Sequence, residues 1–383
     1  MEISLKKIIF VQDISNAKLM EFKKLIDRGA ELERMNEALH REDTQFIVIY
    51  GRRRIGKSEL IKRIVKARHK AIYFLSDTSS ETVQRVAFSK VAASVIDGFD
   101  KVIYPDWETL FRSFNNQLSE RMLVCLDEFP YLVKSCDVLP SIIQKLLNEK
   151  ILKFDLVLCG SSQQLMHGYV LNRQSPLYGL ANEIMKMQPI PAQYMSMAME
   201  CDAVQAVEEY AIWGGVPRYW ELRRDYPDKE TAIRKVLLDP QGPLIEEPQR
   251  LLRDDMRDTV QASTLLTIIG NGANKLSEIA NRAGKDSSTI SEPLSKLRNL
   301  GYVSREVPFG ESPKKSKKGI YHINDSLLRF HYQFIVPYRS ILELGRMDIV
   351  MQVVLSQLPQ FIGQCWELLC REYVSGNIID GIA

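Results

Sequence analysis

The stretch Phe46–Ile61, which reads FIVIYGRRRIGKSELI, constrains the fold of this chain more than any other. Its first five residues are apolar or aromatic and rich in β-branched side chains, which is typical of a buried strand. Residues 51–58 fit G-x-x-x-x-G-K-[ST] without a misfit, and the apolar residues after Ser58 recur at helical spacing. A strand, a glycine-bounded loop and a helix start distinguish this motif from a chance glycine-rich turn.

The spacing of this loop, a P-loop, predicts a nucleotide site. Two glycines allow the backbone to bend so that successive N–H groups face one concavity, next to the N-terminal partial charge of a helix. Lys57 is expected to reach the β- and γ-phosphates of ATP, and the Ser58 hydroxyl to ligate Mg²⁺. The arginine side chains of the loop are assigned no role. The residues expected to bind the cofactor are Gly51, Arg52, Arg53, Arg54, Ile55, Gly56, Lys57 and Ser58.

An acidic pair follows a second apolar run further along the chain. Met122–Leu126 (MLVCL) has the character of a buried strand, and Asp127 and Glu128 come directly after it. Asp127 is expected to hold Mg²⁺ through its water shell, and Glu128 to orient or deprotonate an attacking water. The alternative is an ordinary acidic turn. The pair favours an ATP-hydrolysing protein over a small-molecule kinase.

A polar residue at the tip of the next strand is a candidate contact to the γ-phosphate. Asp155–Cys159 (DLVLC) predicts this strand, and Gly160 and two serines follow it. Ser162 is the preferred catalytic candidate, and Ser161 is nearly as strong a candidate. The alternative is that Ser162 caps the short helix that follows.

Composition limits the classes of protein to which the chain can belong. Its 383 residues predict two or three domains, and 45% hydrophobic with 26% charged residues is an ordinary balance for a soluble protein. No apolar run reaches the length of a membrane span, and the N-terminus lacks a signal-peptide cleavage site. Six cysteines without a C-x-x-C pair argue against zinc and favour the cytoplasm. The net charge of +3 restricts any nucleic-acid surface to a local patch.

Strands alternating with helices predict the α/β class: a three-layer P-loop NTPase core with a parallel sheet, then a helical lid, a winged-helix domain and C-terminal helices. The expected boundaries are residues 1–190, 191–258, 259–325 and 326–383. Within the predicted lid, Arg218 of the segment WGGVPRYW could reach the γ-phosphate. A structural arginine paired with a nearby acid is the alternative.

Residues 259–325 have the layout of a winged helix. Two short helical patterns precede a third, Ser287–Leu300, whose small polar N-terminal residues suit entry into a DNA groove. A predicted hairpin follows, and its tip carries Lys314, Lys315, Lys317 and Lys318. These lysines are expected to contact the phosphates of double-stranded DNA. The alternatives are a solvated tip and a domain that contacts only proteins.

The combined motifs resemble the archaeal-type P-loop ATPases of the AAA+/STAND group. The matching stretches are DRGAEL, YGRRRIGKSEL, VCLDEFPYL, CGSS, SPLYG, WGGVPRYW, GPLIEEPQRLLRDDMRD and the predicted winged helix. The resemblance implies nucleotide and Mg²⁺ binding by Lys57 and Ser58, and metal coordination with hydrolysis by Asp127 and Glu128. Leu180 stands where the family usually has an arginine after SPLYG, which puts that arginine's role in doubt here.

The C-terminal stretch FIGQCWELLCREYV resembles the first helix of a PD-(D/E)xK nuclease-like domain, with Glu367 as the helix glutamate. No strand with an acid-x-lysine pattern follows it, so the chain is expected to cut no nucleic acid. The apolar residues of this predicted helix are expected to pack on preceding helices, form a dimer contact or stay as an exposed patch. Self-association as a homo-oligomer, or a shortened form of a longer ancestral protein, is the resulting expectation.

Two functions of different classes follow from the sequence. The first is an ATP-binding and ATP-hydrolysing protein that acts as a DNA-associated switch or motor. The second is a STAND-like nucleotide-sensing regulator that turns over rarely and binds a protein partner through the winged helix. ATP turnover with and without DNA separates the two.

Overall fold

The structure is a computed structural model that describes residues 27–256, 258–308, 310–312, 316 and 318–375. The chain divides into two compact units, Asp27–Gln188 and a second one from Pro189 onward. The first unit ends within two residues of the predicted end of the nucleotide core. The division of the second unit into lid, winged helix and C-terminal helices stays a prediction.

A parallel five-stranded sheet organises the first unit, in the order β2-β3-β4-β1-β5. The run that precedes the P-loop forms β1, and the run that ends at the acidic pair forms β3. The five strands are β1 (Phe46–Tyr50), β2 (Ala71–Leu75), β3 (Met122–Asp127), β4 (Phe154–Gly160) and β5 (Glu183–Lys186). The α/β class predicted from the alternation of strands and helices is confirmed.

Strand order explains how distant parts of the sequence meet at one edge. β4 lies between β1 and β3, with Ile49 opposite Cys159 and Cys125 opposite Val157 in the parallel registers. Because all five strands run in the same direction, the P-loop, the acidic pair and the two serines after β4 share the carboxyl edge of the sheet. The strand with the serines therefore separates the P-loop strand from the acidic strand.

Helices connect these strands, and right-handed crossovers place them on both faces of the sheet. Phe46 and Val48 of β1 join a large buried cluster that includes Phe88, Trp107 and Phe114. The alternate residues of each strand face the opposite side. The helices are α1 (Gly29–Leu39), α2 (Lys57–Lys66), α3 (Glu81–Ala92), α4 (Trp107–Gln117), α5 (Phe129–Ser135), α6 (Leu139–Asn148) and α7 (Gln163–Met166), with a 3₁₀ segment at Phe99–Lys101 and a π segment at His167–Leu171.

The second unit is almost entirely helical. Its helices agree with the helices predicted for residues 191–258 and for the C-terminal part. They are α8 (Met195–Met199), α9 (Ala203–Trp213), α10 (Pro217–Arg224), α11 (Lys229–Ala232), α12 (Glu247–Asp255), α13 (Thr259–Gly270), α14 (Leu276–Arg282), α15 (Ser287–Asn299), α16 (Ser326–Phe330), α17 (Arg339–Glu343) and α18 (Met347–Ser375), with short 3₁₀ or π segments at Ala192–Tyr194, Ile233–Leu238, His331–Ile335 and Val336–Tyr338.

The segment WGGVPRYW breaks the helical pattern because its backbone packs closely on another stretch of chain. The Ile190 N–H donates to the Gly215 carbonyl at 2.7 Å. A Cβ on Gly215 would lie 2.1 Å from the Ile190 carbonyl oxygen, so only glycine fits there. The Trp220 indole N–H donates to the Gly214 carbonyl at 2.5 Å, which fixes the start of α10 against the turn.

Helices α13, α14 and α15 precede an antiparallel hairpin of β6 (Val303–Glu306) and β7 (Ile320–Ile323). This arrangement agrees with the elements predicted for a winged helix. Their buried core also takes in Leu251 and Leu252 of α12 and Leu328 and Tyr332 beyond β7. Both predicted boundaries of this domain, near residues 258 and 325, therefore cross one continuous hydrophobic core.

The final helix is longer than its sequence indicates. The prediction that it begins at Phe361 is wrong, since α18 runs without interruption from Met347 and contains Pro359. Proline lacks a backbone N–H and normally marks a helix break, but long helices tolerate one when packing holds them. Phe361 supplies such packing, because its ring is buried against Phe330 and Phe334 at centroid separations of 5.9 and 5.4 Å.

Composition led to two further expectations, one about the cysteines and one about membrane spans. All six cysteines lie in the described ranges and are free thiols. Within those same ranges, no helix combines the length and the apolar character that crossing a membrane requires.

Candidate nucleotide site

The loop between β1 and α2 has the backbone that its glycines predict. Gly56 has φ of 95° and Gly51 has φ of 150°, both in the region that favours glycine. A Cβ at Gly51 would lie 2.6 Å from the Met187 carbonyl oxygen, so a larger residue would push the loop away from β5. Arg54 also has positive φ, at 68°. The loop is therefore shaped by local backbone geometry and by close packing on the sheet.

Lys57 lies inside this loop rather than in solvent. Its side chain is buried, and the Nζ donates to the carbonyl oxygens of Gly51 at 2.9 Å and Arg52 at 2.8 Å. The ammonium group is thus held over the concavity formed by the loop. Of the arginines assigned no role, Arg52 is buried and Arg53 is exposed.

Arg28 braces the loop from behind, a role that the sequence did not reveal. Its guanidinium donates to the Ile55 carbonyl at 3.0 Å and to the Gln188 carbonyl at 2.7 Å, and it pairs with Glu31 at 2.8 Å. The side chain is buried, so these three acceptors, all bonded to its terminal nitrogens, offset part of the cost of burying its charge. Arg28 directly precedes α1 and lies in the DRGAEL stretch, whose family resemblance does not indicate the bond to the P-loop.

Asp127 ends β3 and is fully buried. Its Oδ2 accepts a hydrogen bond of 2.7 Å from the Tyr73 hydroxyl, and its Oδ1 accepts one of 2.9 Å from the Glu128 N–H. Burial raises the pKa of the Tyr73 hydroxyl, the neighbouring Asp127 raises it further, and the nearby Ser58 side chain lowers it in part. Asp127 and Ser58, far apart in sequence, therefore both lie beside one phenol.

Glu128 follows in a backbone conformation that is unusual for a non-glycine residue, with φ of 54°. It is the residue that precedes α5. Such strain persists when surrounding contacts enforce it, and it concentrates at functional sites. The bend turns the Glu128 carboxylate toward the end of β4, where it contacts Ser161.

The two serines after β4 have different partners. The Ser161 hydroxyl donates to Glu128 Oε1, and the Ser161 N–H donates to Oε2 at 3.2 Å. The Ser162 hydroxyl accepts from the Leu165 N–H at 3.2 Å and caps α7. Ser162, the preferred sensor in the sequence, thus has the helix-cap contact that was its alternative. Ser161 makes the contact to the acidic pair, and the sensor role of either serine stays a prediction.

Burial also affects the thiol that lies beside Asp127. Burial raises the pKa of Cys159 well above its usual value, and the adjacent Asp127 carboxylate raises it further. The thiol therefore stays protonated. Among the described residues, no group of three or more His, Cys, Asp or Glu side chains is placed to hold a metal ion.

Other predicted site residues lie in the second unit. Arg218 pairs with Glu221 one turn later at 2.8 Å, and both side chains are exposed. Lys318 pairs with Glu311 at 2.8 Å, whereas Lys314, Lys315 and Lys317 lie outside the described residues. Glu367 of α18 pairs with Arg371, one turn further along the helix. The paired-arginine alternative for Arg218 is therefore observed, while its reach toward a phosphate stays a prediction.

The region that carries this site matches a known family. Residues 25–221 match a family described as an ATPase domain predominantly from Archaea, which spans just over half of the chain. Residues 331–380 match a second family, described as archaeal and bacterial proteins of unknown function. The first match covers the P-loop, the acidic pair and both serines, so it agrees with the site described above.

Individual relatives extend over more of the chain. A Methanocaldococcus jannaschii protein, the uncharacterized MJECL04, is 31% identical over 356 residues, which are 91% of this chain and 77% of that protein. The Aeropyrum pernix ORC2 protein, solved as ADPNP–ADP complexes, superposes with a TM-score of 0.51 at 11% identity, covering 92% of this chain and 98% of that one. Its likeness supports the fold. From these matches, the chain belongs to the family of ATPase domains found predominantly in Archaea, and its nucleotide core is that of a P-loop ATPase.

Proposed function

We propose that the chain hydrolyses ATP with Mg²⁺ and couples this reaction to double-stranded DNA, as a switch or a motor. The observation that carries the hydrolytic part is the convergence of Lys57, Asp127 and Glu128 at the carboxyl edge of one parallel sheet. Family membership supports ATPase activity in general. The dependence on Mg²⁺ and the link to DNA are the parts proposed.

The donor set at this edge fits Mg²⁺. Ser58 and Asp127 offer a hydroxyl and a buried carboxylate, and both lie beside the Tyr73 phenol. Mg²⁺ favours oxygen ligands and is commonly held by one or two protein groups, with phosphate oxygens and water completing its shell. Bound there, the ion would neutralise charge on the β- and γ-phosphates. Lys57 would bind the same phosphates, and Glu128 would orient or deprotonate the attacking water.

A groove in the second unit supports contact with DNA. It has a volume of about 900 Å³ and lies between the third helix of the predicted winged helix, α15, and the β6–β7 hairpin. None of the described residues lining it is acidic, and four are basic, which suits a phosphate backbone. The basic residues are Lys275, Arg298, Arg305 and Lys318.

Serines that are exposed or half-buried accompany these charges. Ser287, Ser291 and Ser295 lie along the groove side of α15, so small hydrogen-bonding side chains occupy the helix face beside the basic residues. Hydroxyl and guanidinium groups contribute much of the backbone contact in protein–DNA interfaces. One charge is partly offset, because Lys318 pairs with Glu311.

A second candidate function has its own supporting observation. Ser161 engages both oxygens of Glu128, which would keep the proposed base occupied until a conformational change releases it. This suits a nucleotide-sensing regulator that turns over rarely and binds a protein partner. The Ser161→Ala variant separates the two candidates. ATP turnover should rise if Ser161 suppresses it by occupying Glu128, and it should fall if Ser161 is needed to orient Glu128.

The direct test is steady-state ATP turnover with and without duplex DNA, in Mg²⁺ and in EDTA. We expect ATP turnover only in Mg²⁺, and we expect its rate to rise when DNA is added. Duplex binding is measured in parallel by fluorescence anisotropy at several salt concentrations. An ATP turnover rate that does not change when DNA is added, together with no measurable duplex binding, would favour the regulator.

A further inference from the structure

The Tyr73 hydroxyl lies beside the two proposed Mg²⁺ ligands. It donates to Asp127 Oδ2 at 2.7 Å, and its pKa, raised by burial, is lowered in part by the nearby Ser58 side chain. Sequence alone assigns this tyrosine no role, since it lies within an apolar run, AIYFL, that predicts only a strand. Neither Asp127 nor Ser58 lies next to it in the chain.

The position of Tyr73 is set by the sheet. It is the central residue of β2 and lies opposite Cys125 in the parallel register with β3. Its neighbours Ile72 and Phe74 belong to the buried cluster on one face, so Tyr73 faces the other side, toward α2. Lys62 of α2 lies over its ring, with the Nζ 5.3 Å from the centroid.

We propose that Tyr73 is a placeholder for the metal ion. Its hydroxyl occupies one oxygen of Asp127, and binding of Mg²⁺ with nucleotide requires this carboxylate to exchange the phenol for the ion or its water shell. This inference rests on the proposed Mg²⁺-dependent function, and it adds a residue that sets how readily the metal site is filled.

The chemistry of Asp127 explains why such a placeholder is useful. A fully buried carboxylate without a partner is strongly destabilising, and the Tyr73 hydroxyl is a neutral donor that satisfies one of its oxygens. A neutral donor competes with Mg²⁺ less strongly than a lysine or arginine would. The buried carboxylate is therefore satisfied by a partner that the ion can displace.

The test is the Tyr73→Phe variant, which removes one oxygen and keeps the ring. The first measurement is the Mg²⁺ concentration that half-saturates binding of a fluorescent, non-hydrolysable ATP analogue. Loss of one competing neutral hydrogen bond should lower this concentration about three- to tenfold. Analogue binding in EDTA should change less than about twofold, because the phenol donates to the proposed metal ligand Asp127 and not to the loop that binds phosphates.

The second measurement is thermal unfolding without nucleotide or metal. Tyr73→Phe leaves Asp127 with one partner fewer, so its Tm should fall by about 2–6 °C. The matched control is Tyr169→Phe, a partly buried tyrosine of the same unit, which should leave the Mg²⁺ dependence unchanged. Because the analogue titration is made on folded protein, a stability loss does not hide the metal effect.

The outcomes separate this inference from the function on which it rests. If the parent protein depends on Mg²⁺ and Tyr73→Phe leaves the half-saturating concentration unchanged, the placeholder role is wrong. A higher half-saturating concentration would also overturn it, since Tyr73 would then support the loaded site. If the parent protein binds the analogue equally well in Mg²⁺ and EDTA, the proposed Mg²⁺ dependence itself fails.

Discussion

Ser161 donates two hydrogen bonds to Glu128, one from its hydroxyl to Oε1 and one from its backbone N–H to Oε2. Glu128 comes from the end of β3 and Ser161 from the end of β4, so the contact joins neighbouring strand tips. Together with the positive φ of Glu128, it fixes where the carboxylate points. The proposed base is thus held from two sides, by its own backbone and by Ser161.

The two adjacent serines should therefore respond differently to substitution. Under the proposed function, Ser161→Ala should lower kcat about tenfold or more with ATP affinity unchanged, because the carboxylate loses its orientation. Ser162→Ala should lower the free energy of unfolding by about 1 kcal/mol through loss of a helix cap, with kcat retained. Single-turnover kinetics and urea unfolding measure both. A selective loss of kcat in Ser162→Ala would restore it as the phosphate sensor.

Glycine at position 51 is expected to be essential for the shape of the loop. Gly51→Ala would bring a Cβ within 2.6 Å of the Met187 carbonyl oxygen, so the loop must shift away from β5. We expect nucleotide affinity to fall at least about tenfold, since the phosphate-binding N–H groups move with the loop. Gly29→Ala is the matched control, because nothing lies within 4 Å of a Cβ there. Equal nucleotide affinity in the two variants would contradict this explanation.

Arg28 should stabilise the loop without touching the nucleotide. Arg28→Gln cannot satisfy the carbonyls of Ile55 and Gln188 together with Glu31, so we expect a loss of about 2–4 kcal/mol in the free energy of unfolding. Nucleotide should bind more weakly, and saturating nucleotide should recover part of the lost stability. Arg34→Gln is the control, since that arginine is half exposed and pairs with Glu183 at 2.7 Å in the same unit. Loss of stability in Arg34→Gln alone would contradict the bracing role.

The predicted wing lysines give a salt-dependent test of DNA binding. Changing Lys314, Lys315, Lys317 and Lys318 to alanine should weaken duplex binding about equally for different sequences. The slope of log affinity against log salt should shrink by roughly one unit for each lysine–phosphate interaction that the substitutions remove. Anisotropy titrations with two unrelated duplexes measure both effects. Lys90→Ala, an exposed lysine of the first unit, is the control, and an unchanged slope in the wing variant would favour a protein partner.

Much of the first unit could be predicted because its strands are short, apolar and bounded by clear turn signals. Phe46–Tyr50 and Ala71–Leu75 have the bounds that their sequence indicates. The P-loop pattern and the acidic pair are local in sequence, so their residue types alone indicate their chemistry. Their meeting at one sheet edge follows from parallel strands.

Side-chain bonds that depend on strand order could not be predicted. The Tyr73–Asp127 and Ser161–Glu128 bonds join residues from different strands, and only the order β2-β3-β4-β1-β5 makes these strands neighbours. A buried arginine such as Arg28 likewise has no sequence signal that separates it from a surface arginine. The start of α18 was also missed, because the stretch FIGQCWELLCREYV indicated only the later part of the helix, whereas α18 is continuous from Met347 through Pro359 with Phe361 buried.

The central claim is that Glu128 activates water for ATP hydrolysis. Removing its charge without changing its shape should keep ATP binding intact while the chemical step is lost, whereas Lys57→Ala should weaken binding itself. Glu120→Gln, an exposed glutamate paired with Lys70, is the matched control.

The measurement is single-turnover hydrolysis of radiolabelled ATP by Glu128→Gln, with ATP affinity determined on the same sample. A rate at least about 100-fold below that of the parent protein, at unchanged affinity, is the predicted result. Hydrolysis at the parent rate would contradict the assignment of Glu128 as the base.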